Sequence, residues 1–254
     1  MFAKSERSTV ITYAALLGVT AAAWLAMLRV PMAEQDMAGM EMAMTPTVAD
    51  GLTFVLAWAI MMAAMMLPSA MPMIGLYAAM QRDAPNATAR TAAVSAFTAV
   101  YVMVWALTGV PIYVAGVALM GVAASTLAYT TAGVLIAAGI FQLSPLKQVC
   151  LRHCRSPLGF LLGHWRAGWR GAVSMGWAHA LYCLGCCWAL MVVLVVAGAM
   201  GLPWVLLIAS VVAAEKILPR GEWVARTTGV GLALLGVAVV VHPSLATALR
   251  VTSM

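Results

Sequence analysis

Charge is what this sequence has least of. Only 9% of its 254 residues are Asp, Glu, Lys or Arg, against roughly 25% in a soluble domain. A water-soluble globule of this length lacks the polar surface it would need. Histidine is also scarce, at four residues, which leaves little for an oxygen-activating copper site. No G-x-x-x-x-G-K-[ST] loop occurs, so the chain holds no nucleotide by that device. A soluble enzyme, a secreted disulfide scaffold and a disordered chain are all excluded. What is abundant is hydrocarbon: 64% of residues are hydrophobic and the mean hydropathy is +0.99. That composition describes a polytopic membrane protein.

A membrane-spanning helix needs ~20 residues, and the apolar runs mark spans near 10–28, 52–80, 92–119, 126–143, 171–199, 202–217 and 226–242. The expected fold is therefore all-α, a single integral membrane bundle over 1–254 with about seven spans, six being the alternative. No A-x-A-like site closes the first run, so it reads as a signal-anchor helix rather than a cleaved leader. Seven spans give the basic residues a regular alternation. The N-terminus and the second, fourth and sixth loops hold 12 of the 14 Lys and Arg residues. By the positive-inside rule those segments are cytoplasmic, the N-terminus among them, and the chain belongs in a bacterial inner membrane. The net charge of +6 then faces anionic lipid headgroups rather than nucleic acid.

The remaining signal is sulfur, with 20 Met and 5 Cys. Thioether and thiolate are soft donors that select Cu(I) over hard cations. The extracytoplasmic loop 30–50 carries Met32, Met37, Met40, Met42 and Met44 beside Glu34, Asp36 and Glu41, and reads as a capture arm. In the second span, Met62, Met65, Met66, Ser69 and Met73 fall on one side at ~100° per residue. Pro68 and Pro72 in the same span predict a kink that lines a cavity. In the fifth span, Met175, His179, Tyr182, Cys183 and Cys186 share about a 100° arc, because they are spaced by three and four. Cys187 lies at the arc's edge. Met65 and Cys186 each fall ~21 Å along their helices from the outer end at 1.5 Å per residue, so the two spans can share a site if they pack together. The cytoplasmic loop 144–170 adds Cys150, His153 and Cys154, whose neighbours Lys147, Arg152 and Arg155 are expected to lower the thiol pKa. His164 reads as part of an interfacial aromatic belt, and Glu215 as half of an ion pair with Lys216 or a nearby arginine.

Four segments together, M-M-A-A-M-M-L-P-S-A-M-P-M (61–73), K-Q-V-C-L-R-H-C-R-S-P-L-G (147–159), Y-C-L-G-C-C-W-A-L-M (182–191) and E-K-I-L-P-R-G (215–221), resemble a family of bacterial integral membrane proteins held to bind metal, whose domain has no established function. In that family a glycine commonly follows the fifth-span histidine; here Ala180 does. The resemblance implies a metal-linked membrane role for the cysteines and no particular reaction.

The expected function is copper handling. Cu(I) is taken up or delivered through Met62, Met65, Met66, Met175, His179, Cys183, Cys186 and Cys187 in the bundle, with Cys150, His153 and Cys154 below and Met37, Met40, Met42 and Met44 outside. The expected partners are membrane lipid and a metallochaperone or partner membrane subunit, and no catalytic set stands out. Two alternatives stay open: a membrane thiol-disulfide oxidoreductase using Cys183/Cys186 and Cys150/Cys154, and a subunit or maturation factor of a membrane copper enzyme.

Overall fold

A computed structural model describes residues 2–29, 47–81, 84–119, 122–196 and 201–251. Every element among them is helical: α1 (Phe2–Arg29), α2 (Val48–Met80), α3 (Ala87–Leu107), α4 (Gly109–Ala118), α5 (Ala124–Leu143), α6 (Pro145–Arg155), α7 (Pro157–His164), α8 (Gly168–Val196), α9 (Leu202–Ile217), α10 (Gly221–Val241) and α11 (Ser244–Val251). The Met-rich loop, with Met32, Met37, Met40, Met42 and Met44, lies outside the described residues.

Local chemistry sets the helix starts. Thr47 and Asp50 form a reciprocal capping box at α2, satisfying donors that the first turn leaves open. The Asn86 side chain caps α3 through the Ala89 amide at 2.7 Å. Ser144 caps α6, with Pro145 in the first turn, where a missing N–H costs nothing. Helix α2 runs unbroken through Pro68 and Pro72. The third expected span is two helices, parted at Thr108. That hydroxyl donates to the Trp105 carbonyl at 2.6 Å and accepts from Trp58 Nε1 at 2.9 Å.

Six stretches are long and apolar enough to cross a membrane: Val10–Arg29, Val48–Met80, Ala87–Ala118, Thr126–Leu143, Gly168–Val196 and Gly221–Val241. The run at 202–217 forms a helix with those same bounds, but its 16 residues rise only ~24 Å at 1.5 Å each, short of the ~30 Å hydrocarbon core. Val10, Ile11, Leu17 and Leu25 of α1 and Leu234, Val237 and Val241 of α10 are exposed. So much apolar surface suits a lipid-facing shell and not a water-facing one.

The core lies among α2, α3 and α8. It takes Trp58, Met61, Met62, Met65, Met66, Met73 and Tyr77 from α2, Phe97, Tyr101 and Trp105 from α3, and the histidine and cysteines of α8. Helices α3 and α8 cross closely because Gly176 has no side chain: a Cβ there would come within 2.6 Å of the Phe97 carbonyl oxygen. Small residues at such crossings let backbones approach. The crossing carries Tyr101, one turn beyond Phe97, alongside His179 and Cys183. Ala180, where a glycine was the expectation from the resemblance, is fully buried.

The segment 144–170 is not an open loop. Helices α6 and α7 fold back, α6 onto α8 and α7 onto α2, burying Lys147, Leu151, Phe160 and Leu161.

Candidate metal centre

Four helices meet at one sulfur. Cys183 Sγ of α8 lies 3.1 Å from the Tyr101 hydroxyl of α3 and 3.0 Å from Lys216 Nζ of α9. Lys216 also donates to Ser69 Oγ of α2 at 3.0 Å, and Ser69 donates to the Met66 carbonyl at 2.9 Å. A lysine ammonium has donors only, so the Cys183 sulfur accepts at that contact. Helix α2 therefore reaches the cluster through the Ser69 hydroxyl and the Met66 backbone. Neither Lys216 nor Tyr101 was singled out from sequence as a site residue.

A second group of sulfurs adjoins the first. Cys186 Sγ lies 3.3 Å from Cys187 Sγ and 3.8 Å from Cys154 Sγ of α6, and its thiol donates to the Cys183 carbonyl at 3.1 Å. Cys150 sits over Gly185, where an added Cβ would stand 2.7 Å from its Sγ. The two α6 cysteines, four residues apart, thus share the edge that docks on α8. All five cysteines are free thiols.

The basic neighbours of these α6 thiols are otherwise engaged, which corrects the expected lowering of their pKa. Burial pushes the Cys150 thiol up. The Cys154 thiol is pushed well up, first because it donates to the Cys183 sulfur as a neutral group. Lys147 Nζ instead pairs with Glu215 Oε2 at 2.6 Å, with side chains 0% and 1% exposed, and Gln142 bonds to both partners. Arg155 donates to the Leu218 and Pro219 carbonyls, each at 2.7 Å. Arg152 stands 3.7 Å from Glu222. The partner of Glu215 is therefore a lysine of α6, neither Lys216 nor an arginine. Residues adjacent on a helix do not face each other, so Glu215 and Lys216 diverge, and that geometry was the signal for two separate partners.

His179 is 3% exposed, and neither ring nitrogen has a hydrogen-bond partner among the described residues. Its ring stacks on Tyr101 and Phe97 at 5.4 and 5.9 Å, with the Phe160 ring edge-on at 5.5 Å. Leaving both nitrogens of a buried imidazole unbonded is costly, so this ring suits a nitrogen donor held for a ligand. His153 lies flat on Tyr182, centroids 4.2 Å apart, with Nδ1 on the Val149 carbonyl at 2.9 Å. His164 stacks on Phe160 at 4.6 Å. Met62, Met65, Met66 and Met175 are all buried. Among the described residues no three His, Cys, Asp or Glu side chains converge as a metal cage. The arrangement offers sulfur pairs, which suit a soft ion of low coordination number better than a tetrahedral dication.

Comparison with known proteins adds one finding. A family model described as PpoB2, copper chaperone, matches residues 55–239, a stretch that contains all four segments quoted above. Nothing matches among curated proteins or among solved structures.

Proposed function

Because the chain belongs to the PpoB2 copper chaperone family, we propose that it carries Cu(I) within the membrane on the thiols of Cys154, Cys183, Cys186 and Cys187. The observation behind this reading is the convergence of α6 and α8, which sets Cys154 and Cys186 sulfurs 3.8 Å apart. On the scale of the ~2.3 Å zinc–thiolate bond, one soft ion can bridge two sulfurs that far apart. Cys187 at 3.3 Å from Cys186 and Cys183 one turn earlier offer neighbouring sulfurs for stepwise exchange. Met62, Met65, Met66 and Met175, with His179, provide neutral flanking donors, and the Met37–Met44 arm gathers the ion outside. The N-terminus is cytoplasmic and the membrane is the bacterial inner membrane.

Charge supports a monovalent cargo. Cu(I) on two thiolates carries one net negative charge, and burying an uncompensated charge is expensive. Lys216, at the neighbouring Cys183 sulfur one turn from Cys186, supplies a compensating positive charge. A divalent ion on the same two thiolates is already neutral, and the lysine would leave a net positive charge.

The test is titration of the purified full chain with Cu(I) under reductant, against a chromophoric competitor. Wild type binds, and Cys154→Ala/Cys186→Ala loses that binding. A double variant that binds like wild type overturns the assignment. A wild type that binds no Cu(I) and forms a reversible Cys154–Cys186 disulfide without added oxidant would favour thiol–disulfide exchange instead.

A further inference from the structure

Away from the sulfurs, the junction of α6 and α7 meets the α9–α10 turn around a cavity of about 520 Å³ lined by Arg152, Arg155, Ser156, Pro219, Arg220, Glu222 and Trp223. Three guanidinium groups face a single carboxylate. Arg155 is anchored by the Leu218 and Pro219 carbonyls, which fixes one wall. Among the described residues Arg152 pairs with Glu222 alone, at 3.7 Å, and the Arg220 side chain has no ion pair. The site is therefore short of negative charge, and its free donors are planar forks that match phosphate oxygens.

The surroundings decide between a soluble anion and a lipid. Ile217, Leu218, Trp223 and Leu158 beside the cavity are exposed, and the Arg226 guanidinium lies 5.5 Å over the Trp223 ring. An aromatic and basic rim next to bare aliphatic side chains belongs at the membrane–water boundary. Both walls come from segments whose basic residues mark them as cytoplasmic, where anionic lipids are recognised by basic pockets between helices. We propose that this cavity binds the phosphodiester headgroup of an anionic phospholipid, with its acyl chains lying along Leu218 and Trp223. Bound there, the phosphate bridges Arg152 and Arg155 of α6 to Arg220 at the start of α10, and so braces the helix that carries Cys150 and Cys154. The inference rests on the membrane reading and is independent of the copper reading.

The test reconstitutes the full chain into nanodiscs of phosphatidylcholine containing phosphatidylglycerol, then counts retained lipid after detergent exchange by native mass spectrometry. Wild type retains phosphatidylglycerol in preference to phosphatidylcholine. Arg152→Gln/Arg220→Gln reduces that preference roughly thirtyfold, as two surface-level cation contacts would, and Arg170→Gln, at an exposed position of α8 that does not line the cavity, leaves it unchanged. Equal retention of the two lipids by wild type overturns the proposal, as does a double variant with undiminished preference. A site that holds inorganic phosphate but retains no lipid overturns it as well. Failure of the chain to enter nanodiscs would overturn the membrane reading itself, a result distinct from loss of lipid selectivity.

Discussion

The buried Lys147–Glu215 pair allows a quantitative test of how α6 is held against the bundle. At 2.6 Å and an effective dielectric of ~20, two unit charges attract by about 6 kcal/mol. Desolvation of each ion costs several kcal/mol, so the intact pair contributes little net stability. Removing one partner is another matter, because the survivor is a buried charge without compensation. Lys147→Met and Glu215→Leu should each destabilise the chain by about 3–5 kcal/mol. Removing both leaves no stranded charge, only the Gln142 amide without its two partners, a loss of about 1–3 kcal/mol. The double variant should therefore be more stable than either single one. Equilibrium unfolding in mixed micelles measures the three values. Since the pair ties α6 to α9, the yield of oxidatively trapped Cys154–Cys186 should fall in the singles and recover in the double. Single variants as stable as wild type, or a double variant whose loss equals the sum of the singles, would refute the reasoning.

Other perturbations act nearer the sulfurs. Lys216→Met removes the charge at Cys183 and should narrow the preference for Cu(I) over Zn(II) by about 10–100-fold, the scale of outer-shell losses, read by competitive titration of both ions; an unchanged ratio would exclude the counter-charge role. Gly185→Ala sets a Cβ 2.7 Å from Cys150 Sγ and should cost about 1–3 kcal/mol through overpacking. Adding Cys150→Ala should restore both stability and Cys154–Cys186 trapping, and no rescue would mean that α6 docks differently. His179→Phe keeps the ring stack and deletes two unbonded nitrogens, so metal-free stability should rise by about 1–3 kcal/mol while Cu(I) affinity drops. A fall in metal-free stability would show that the ring has protein partners. Because burial raises the Cys150 thiol and the thiolate is the nucleophile, its alkylation should accelerate only above the ordinary value of 9.0. A midpoint below that value would mean that the arginines of α6 reach it after all.

How much of this was legible from sequence depends on whether a residue acts through its own helix or through a meeting of several. The 3.6-residue period placed Met62, Met65, Met66 and Ser69 on one face; all four are buried, and so are Met61, Ala64 and Leu67 around the rest of those turns. It also placed His179, Cys183 and Cys186 on one arc, and they too are buried together. Tyr101 and Lys216 carry no such pattern. Tyr101 is one polar group in an apolar stretch and Lys216 reads as the partner of its neighbour Glu215; their roles exist only because Gly176 lets α3 close on α8 and because α9 ends level with Cys183. The segment 144–170 misled for a related reason. Its charges read as those of a cytoplasmic loop, whereas Lys147 is wholly buried against a carboxylate 68 residues away in the chain.

That correction bears on topology. Lys147 and Lys216 were both counted among the orienting cations, yet both are buried, one on Glu215 and the other on Cys183. A cation neutralised inside the bundle has no headgroup to face and says little about orientation. Ten of the twelve remain on the side expected to be cytoplasmic, against two on the other, so the asymmetry survives without them. The structure also brings the fourth and sixth loops into contact, through Arg155 and the Leu218 and Pro219 carbonyls. Two segments that touch lie at the same end of the bundle; a shared side of the membrane follows only with a seventh crossing by α9, whose 16 residues fall short of the hydrocarbon core. The two lysines that drop out of the orientation argument are those that bind Glu215 and the Cys183 sulfur. In a chain so poor in charge, a lysine buried within the bundle is more informative about the site than about which way the bundle faces.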